Sequence, residues 1–283
     1  MSFLTQLFAT RQLRGLKILL ASILTAAEML GLVLFDTAVT PRGQKLDLDG
    51  YALVFEDNFD GDELDLSKWL HRYPGRVNAG YQSPEQVSVG GGLLRFKALY
   101  REDGPYGPGI YSGEIRTRRE FVRGYFEVRC LCSEGGGLWS AFWMNSDGMA
   151  SAELSDGGLG GAEIDIFEAN NYNANIFNRN AVTHAVHVGG YGEGLRSENE
   201  GSFKVPKPYS QFNTYGMEWT ENEYIFYING VESLRTSFQK GVSRVPEYVI
   251  LTLCLPVEFP EENAGVTTDF VVDYVKIYQK DAA

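Results

Sequence analysis

Gly161-Ala162-Glu163-Ile164-Asp165-Ile166-Phe167-Glu168-Ala169-Asn170 is the segment on which the architecture of this chain turns. Glu163 and Asp165 stand two residues apart, so on an extended strand they project from one face while Ile164 and Ile166 project from the other. Unbroken alternation would then send Phe167 to the acid face and Glu168 inward, where an unpaired carboxylate is costly. One extra residue after Asp165, a β-bulge, removes the conflict and returns Glu168 to the acid face. The spacing therefore predicts a strand with three carboxylates on one side and an apolar core side. Taken alone, the pattern also fits an ordinary solvated strand face.

The flanking sequence repeats the period of two. YALVFEDNF, GLLRFKALY, GYFEVRCLC, LWSAFWM, AVTHAVHV, YGMEWT, YIFYING, YVILTLCL and FVVDYVKIY are short, rich in aromatic and β-branched residues, and separated by turn residues. In Tyr125-Phe126-Glu127-Val128-Arg129 the charged pair faces one way and Phe126 and Val128 the other. Asn229-Gly230 follows one such run and is a favoured hairpin turn. Helical periodicity is missing after residue 36. The fold class predicted is all-β, with the strands packed as a two-sheet antiparallel sandwich of jelly-roll type.

The chain has 283 residues, 44% of them hydrophobic and 13% aromatic, which excludes a disordered or fibrous protein and leaves ample material for a core. Lys plus Arg total 25 against 37 Asp plus Glu, a net charge of −12. That balance repels phosphate backbones, so nucleic acid is not an expected partner. Residues 50–283 read as one domain without repeats. Residues 37–49, with Pro41 and Gly43, read as a linker. Residues 1–36 differ: Arg11, Arg14 and Lys17 precede an apolar run from Ile18 to Phe35 interrupted by Glu28. Basic then apolar is the order of a signal peptide or membrane anchor, so a secreted or extracytoplasmic, membrane-tethered protein is expected. Cys130, Cys132 and Cys254 form no disulfide framework and read as buried structural thiols.

Aromatic residues accompany the acids. In Gly137-Leu138-Trp139-Ser140-Ala141-Phe142-Trp143-Met144, alternation puts Trp139, Ala141 and Trp143 on one face. Indole rings beside a polar face are stacking platforms for the apolar faces of sugars, as in binding sites that combine aromatic and polar groups. Two glutamates across a bulge stand about 5–7 Å apart, a range that overlaps the ~5–5.5 Å spacing of retaining glycosidases. One carboxylate would attack while the other, its pKa raised by like charge, would shuttle a proton. No Gly-x-Ser-x-Gly elbow and no phosphate-cradling loop is present.

GAEIDIFEAN preceded by GLWSAFWM resembles the signature of family 16 glycoside hydrolases in its bulged Glu-x-Asp-x-x-Glu branch. The opening YALVFEDNFDGDELDLSKW, the central SGEIRTRREFVRGYFEVRC and the closing FVVDYVKIYQ are similar to the family's strands as well, so the resemblance spans roughly residues 51–279. It implies a concanavalin-like jelly roll acting on a polysaccharide. By motif position Glu163 would be the nucleophile, Asp165 its assisting acid and Glu168 the general acid/base. Trp139, Trp143 and His187 match positions lining the sugar site, and Tyr81 and Gln86 belong to a segment read as its edge. No cofactor is implied for catalysis. A structural calcium ion is known in many members, and Asp273 would lie near it, although Asp57-Asn58-Phe59 departs from the usual Asp-Glu-Phe. The expected activity is retaining, endo-acting hydrolysis of β-1,3- or mixed-linkage β-1,3/1,4-glucan by a monomer. A β-galactan of agar or carrageenan type, a non-catalytic lectin domain, and a transglycosylase stand as alternatives.

Overall fold

The computed structural model describes residues 38–280 except 136, 151–159, 171, 173, 175–176, 238–241, 259–264 and 266. The segment 1–36, read above as a signal or anchor, lies outside the described residues. No helix among the described residues is long and apolar enough to cross a membrane.

The strands form two sheets. Seven strands make the first, in the spatial order Arg196–Lys204, Ala181–Val188, Glu163–Glu168, Trp139–Asn145, Tyr248–Cys254, Glu114–Thr117 and Trp69–His71. The second has eleven. Its main path runs Val231–Thr236, Tyr224–Ile228, Asn213–Trp219, Gly124–Leu131, Thr267–Lys280, Leu94–Arg101, Gly109–Ser112, Gly80–Gln82 and Gly75–Val77. Tyr51–Asp57 and Val87–Val89 pair onto it. Pairing is antiparallel except between Gly80–Gln82 and Gly109–Ser112. The two-sheet antiparallel sandwich expected from alternation is the fold observed.

Alternation decides what fills the space between the sheets. Ile164, Ile166, Phe142, Met144, Leu251 and Leu253 of the first sheet are fully buried, as are Phe96, Phe126, Val128, Met217 and Val272 of the second. Each such side chain contributes roughly 1.5–3 kcal/mol. Phe167 joins the layers: its ring stacks on Tyr215 at 4.0 Å and meets Phe270 edge-on at 6.4 Å. The chain changes sheets at Gly113, between Ser112 and Glu114. A Cβ there would stand 2.7 Å from Val87, so only glycine lets the backbone pass this close. Asn229 and Gly230, at φ +50° and +71°, make the predicted hairpin turn.

Two expectations are corrected. Residues 38–49 are no free linker: backbone bonds tie Val39 to Ser202 and Lys204, Gly43 to Glu232, and Leu46 to Gly230. Leu46 and Leu48 also pack on Tyr125, Ile225 and Tyr227, apolar surface that a detached linker would leave wet. Among the cysteines, Cys130 and Cys132 are buried as expected, but Cys254 is only partly so. It shares the parity of Thr252 and lies opposite Trp139, on the outer face of its sheet.

Candidate active site

The bulge is where the charge argument puts it. Against the Trp139–Asn145 strand, Asp165 pairs with Trp143, Phe167 with Phe142 and Glu168 with Ala141, so Ile166 has no partner. The register against Ala181–Val188 shifts at the same place. Ile164, Ile166 and Phe167 are fully buried while Glu163 and Glu168 are partly exposed on the outer face, with Asp165 buried between them. His184 holds the distortion from behind, its Nδ1 2.6 Å from the Ile166 carbonyl. Burial pushes this imidazole down to about 4, so it is neutral at pH 7 and donates through Nδ1.

Each acid has its own partners. Trp139 Nε1–H donates to Glu168 Oε1 at 2.8 Å. His187 Nε2 lies 3.0 Å from Asp165 Oδ2, and its Nδ1 lies 2.6 Å from Ser197 Oγ. Glu163 Oε2 receives Asn145 Nδ2–H at 3.1 Å and the Tyr191 hydroxyl. Burial, and then the Glu168 and Glu163 charges, hold the Asp165 carboxyl well above the usual carboxylate range. Burial likewise raises Glu168, with the Glu163 charge adding to it and the Trp139 bond opposing it. Burial works against a charged His187, but the bond to Asp165 and the acid charges outweigh it and raise the imidazole. The Asp165–His187 pair thus retains a proton between its members, beside a glutamic acid predisposed to hold one.

Arg72 completes the face. Its guanidinium pairs with Glu114 at 2.6 Å and lies 5.0 Å from the Trp143 ring centroid and 4.5 Å from that of Tyr73. Its Nε is buried without a hydrogen-bond partner. Trp143 Nε1 donates to Thr252 Oγ1 at 3.0 Å.

Glu163, Asp165 and His187 are a group of ligand-type atoms within 4.8 Å of one another. Asp165 and His187 are already bonded to each other, so the arrangement suits proton sharing better than metal coordination. Asp273, the residue named for a structural calcium ion, pairs with the cation Arg129. Asp57 is engaged by Trp69 Nε1–H, the Phe59 N–H and Lys68.

Glu163, Asp165, Glu168, Trp139, Trp143 and His187 therefore come together on one face. Among the described residues, Tyr81 and Gln86 share no hydrogen bond or ring contact with this group. Tyr81 belongs to the other sheet and stacks on Tyr111 at 5.0 Å. Gln86 ends a short 3-10 turn with only 5% of its surface exposed. Asn145 was legible and missed, since Trp139, Ala141, Trp143 and Asn145 continue one period-two row. Arg72 and Tyr191 lie just past a strand end and in a turn, where no periodicity flags them.

A family model described as Beta-porphyranase A-D, GH16 domain, matches residues 53–278. A beta-glucanase of Rhodothermus marinus is 27% identical over 265 residues, covering 81% of this chain and 85% of that enzyme. An endo-1,3-1,4-beta-glycanase of Rhizobium meliloti (strain 1021) is 27% identical over 217 residues, or 73% of this chain, which spans only 43% of that relative's length. A keratan-sulfate endo-1,4-beta-galactosidase of Sphingobacterium multivorum is 26% identical over 250 residues, covering 81% of this chain and 55% of its own. Among solved structures, a non-specific endo-beta-1,3(4)-glucanase from family GH16 superposes with TM-score 0.68 at 24% identity, covering 87% of this chain and 97% of that one. Since the family model spans nearly the whole sandwich, acid strand included, this chain belongs to glycoside hydrolase family 16.

Proposed function

We propose that the protein is a retaining, endo-acting hydrolase of β-1,3- or mixed-linkage β-1,3/1,4-glucan. The observation that carries the mechanism is the bulge at Ile166, which puts Glu163 and Glu168 on the same face with different surroundings. Glu163, held by neutral donors, attacks the anomeric carbon. As that bond forms, the glycosidic C–O bond breaks and the Glu168 proton passes to the leaving oxygen. Trp139 Nε1–H then stabilises the Glu168 carboxylate so produced. In the second half, Glu168 takes a proton from water, the oxygen attacks the same carbon, and Glu163 is released. Asp165, sharing a proton with His187, keeps a second full negative charge away from the nucleophile. Trp139 and Trp143 offer rings to the sugars. The beta-glucanase relatives support the glucan assignment.

Reducing-sugar release from laminarin, barley mixed-linkage glucan, agarose and carrageenan tests the reading, with Glu163→Gln alongside. Glucan cleavage by the wild type, lost in the variant, is the expected result. Activity in the variant equal to wild type would sink the assignment of the nucleophile.

One observation favours a second substrate, a sulfated β-galactan: the Arg72 guanidinium, paired with Glu114, stands beside Trp143 on a face otherwise crowded with acids. The galactosidase relative points the same way. Arg72→Met should then depress cleavage of carrageenan or keratan sulfate and spare the neutral glucans. Export or tethering rests on the basic-then-apolar order of residues 11–35, and fractionation of a full-length tagged chain tests it.

A further inference from the structure

Tyr191 lies in the turn between the Ala181–Val188 and Arg196–Lys204 strands, entered through Gly189 and Gly190 at φ +87° and +75°. Two successive left-handed residues are a conformation glycine takes without strain. Although 59% of the residue is exposed, its hydroxyl is committed to Glu163, donating to Oε2. Asn145 braces both groups: its Nδ2 lies 2.7 Å from the phenol oxygen and 3.1 Å from Oε2. The Ser146 N–H donates to Asn145 Oδ1 at 2.7 Å, which settles which end of the amide faces the acid. Oε2 therefore receives two donors, and no described residue donates to Oε1.

We propose that Tyr191, braced by Asn145, is a positioning residue for the nucleophile, holding Glu163 Oε2 and leaving Oε1 as the oxygen that bonds the sugar. The assignment rests on the retaining-hydrolase reading above. In the first step the Oε1–carbon bond forms, the glycosidic bond breaks, and the Glu168 proton goes to the leaving oxygen; the Tyr191 proton stays on Tyr191. Oε2 becomes the carbonyl oxygen of the glycosyl ester and still accepts from both donors. The carboxylate plane is thus held through the reaction, which keeps the attacking atom aligned.

The other groups bearing on Glu163 are Asp165 and Glu168 on its strand, His187 opposite, and Glu114 and Cys254 across the face, with Arg72 beside Tyr191. All of them survive in Tyr191→Phe, which keeps the ring and removes only the hydroxyl. Steady-state kinetics of Tyr191→Phe, on the polymer the wild type cleaves best, isolates that hydroxyl. The expected result is a kcat lower by about tenfold or more with KM within about twofold. An unchanged kcat, or a rise in KM alone as for a ring that merely touches sugar, overturns the proposal. Glu163→Gln in the same assay separates the failures. If it is inactive while Tyr191→Phe behaves as wild type, only the positioning role falls. If it is fully active, or the wild type cleaves no polymer, the hydrolase reading falls and takes this role with it.

Discussion

Replacing Glu247 by Gln should make the fold more resistant to rising pH. Glu247 is fully buried, its backbone paired both ways with Phe121 at 2.9 Å. Its Oε1 accepts the Ala162 N–H at 2.9 Å, immediately before the strand that carries the acids. Oε2 has no hydrogen bond of standard geometry. Burial pushes the carboxyl from 4.5 up to about 8, against the opposing pull of the Ser243 hydroxyl, the Ala162 N–H and Arg123. Below pH 4.5 the group is protonated folded or unfolded and exacts no penalty. Between pH 4.5 and about 8 the unfolded chain ionises first, so folding stability drains at about 1.4 kcal/mol per pH unit, toward a total on the order of 5 kcal/mol. Glutamine keeps the acceptor for Ala162 N–H and does not titrate. Two-state urea unfolding of both proteins at pH 5, 6, 7 and 8 reads the difference. The variant's advantage should grow steadily across that window, by about 4 kcal/mol in all, and level off above pH 8. A difference that stays flat with pH would refute the reasoning, because it would mean that Glu247 does not change protonation between the folded and unfolded states in this range.

Two further outcomes follow from the site and the core. Trp139→Phe keeps an aromatic ring but removes the N–H that stabilises the Glu168 carboxylate; the basic limb of kcat/KM should move up by about one pH unit and kcat should fall, and a basic limb that stays put would show the bond has no part in tuning the acid. Phe167→Ala empties the contact between the sheets, where the ring is fully buried on Tyr215; it should cost about 3–5 kcal/mol, or roughly 10 °C in Tm by calorimetry, and a shift under 2 °C would mean the layers do not depend on it.

Much of the site is legible in the sequence. The direction of a strand side chain follows from its parity, so Glu163, Asp165, Trp139 and Trp143 could be placed on one face by counting. Inserting one residue at Ile166 followed from the cost of burying Glu168. The errors have the same physical root. Tyr81 and Gln86 read as the site's edge from a segment that precedes a strand, but sequence does not say which sheet a short strand joins, and Tyr81 joins the other one. The stretch 38–49 looked like a linker because Pro41 and Gly43 break periodicity, yet its backbone found free strand edges to pair with.

The sequence by itself determined the sandwich, the bulge and the row of acids, because alternation and the burial of charge act between neighbours a few residues apart. Only the tertiary structure decided who holds each acid. The Tyr191–Glu163, Arg72–Glu114 and Glu247–Ala162 contacts join residues 28, 42 and 85 positions apart. Such pairs are chosen by which strands become neighbours and where turns lead, and no local period records that choice.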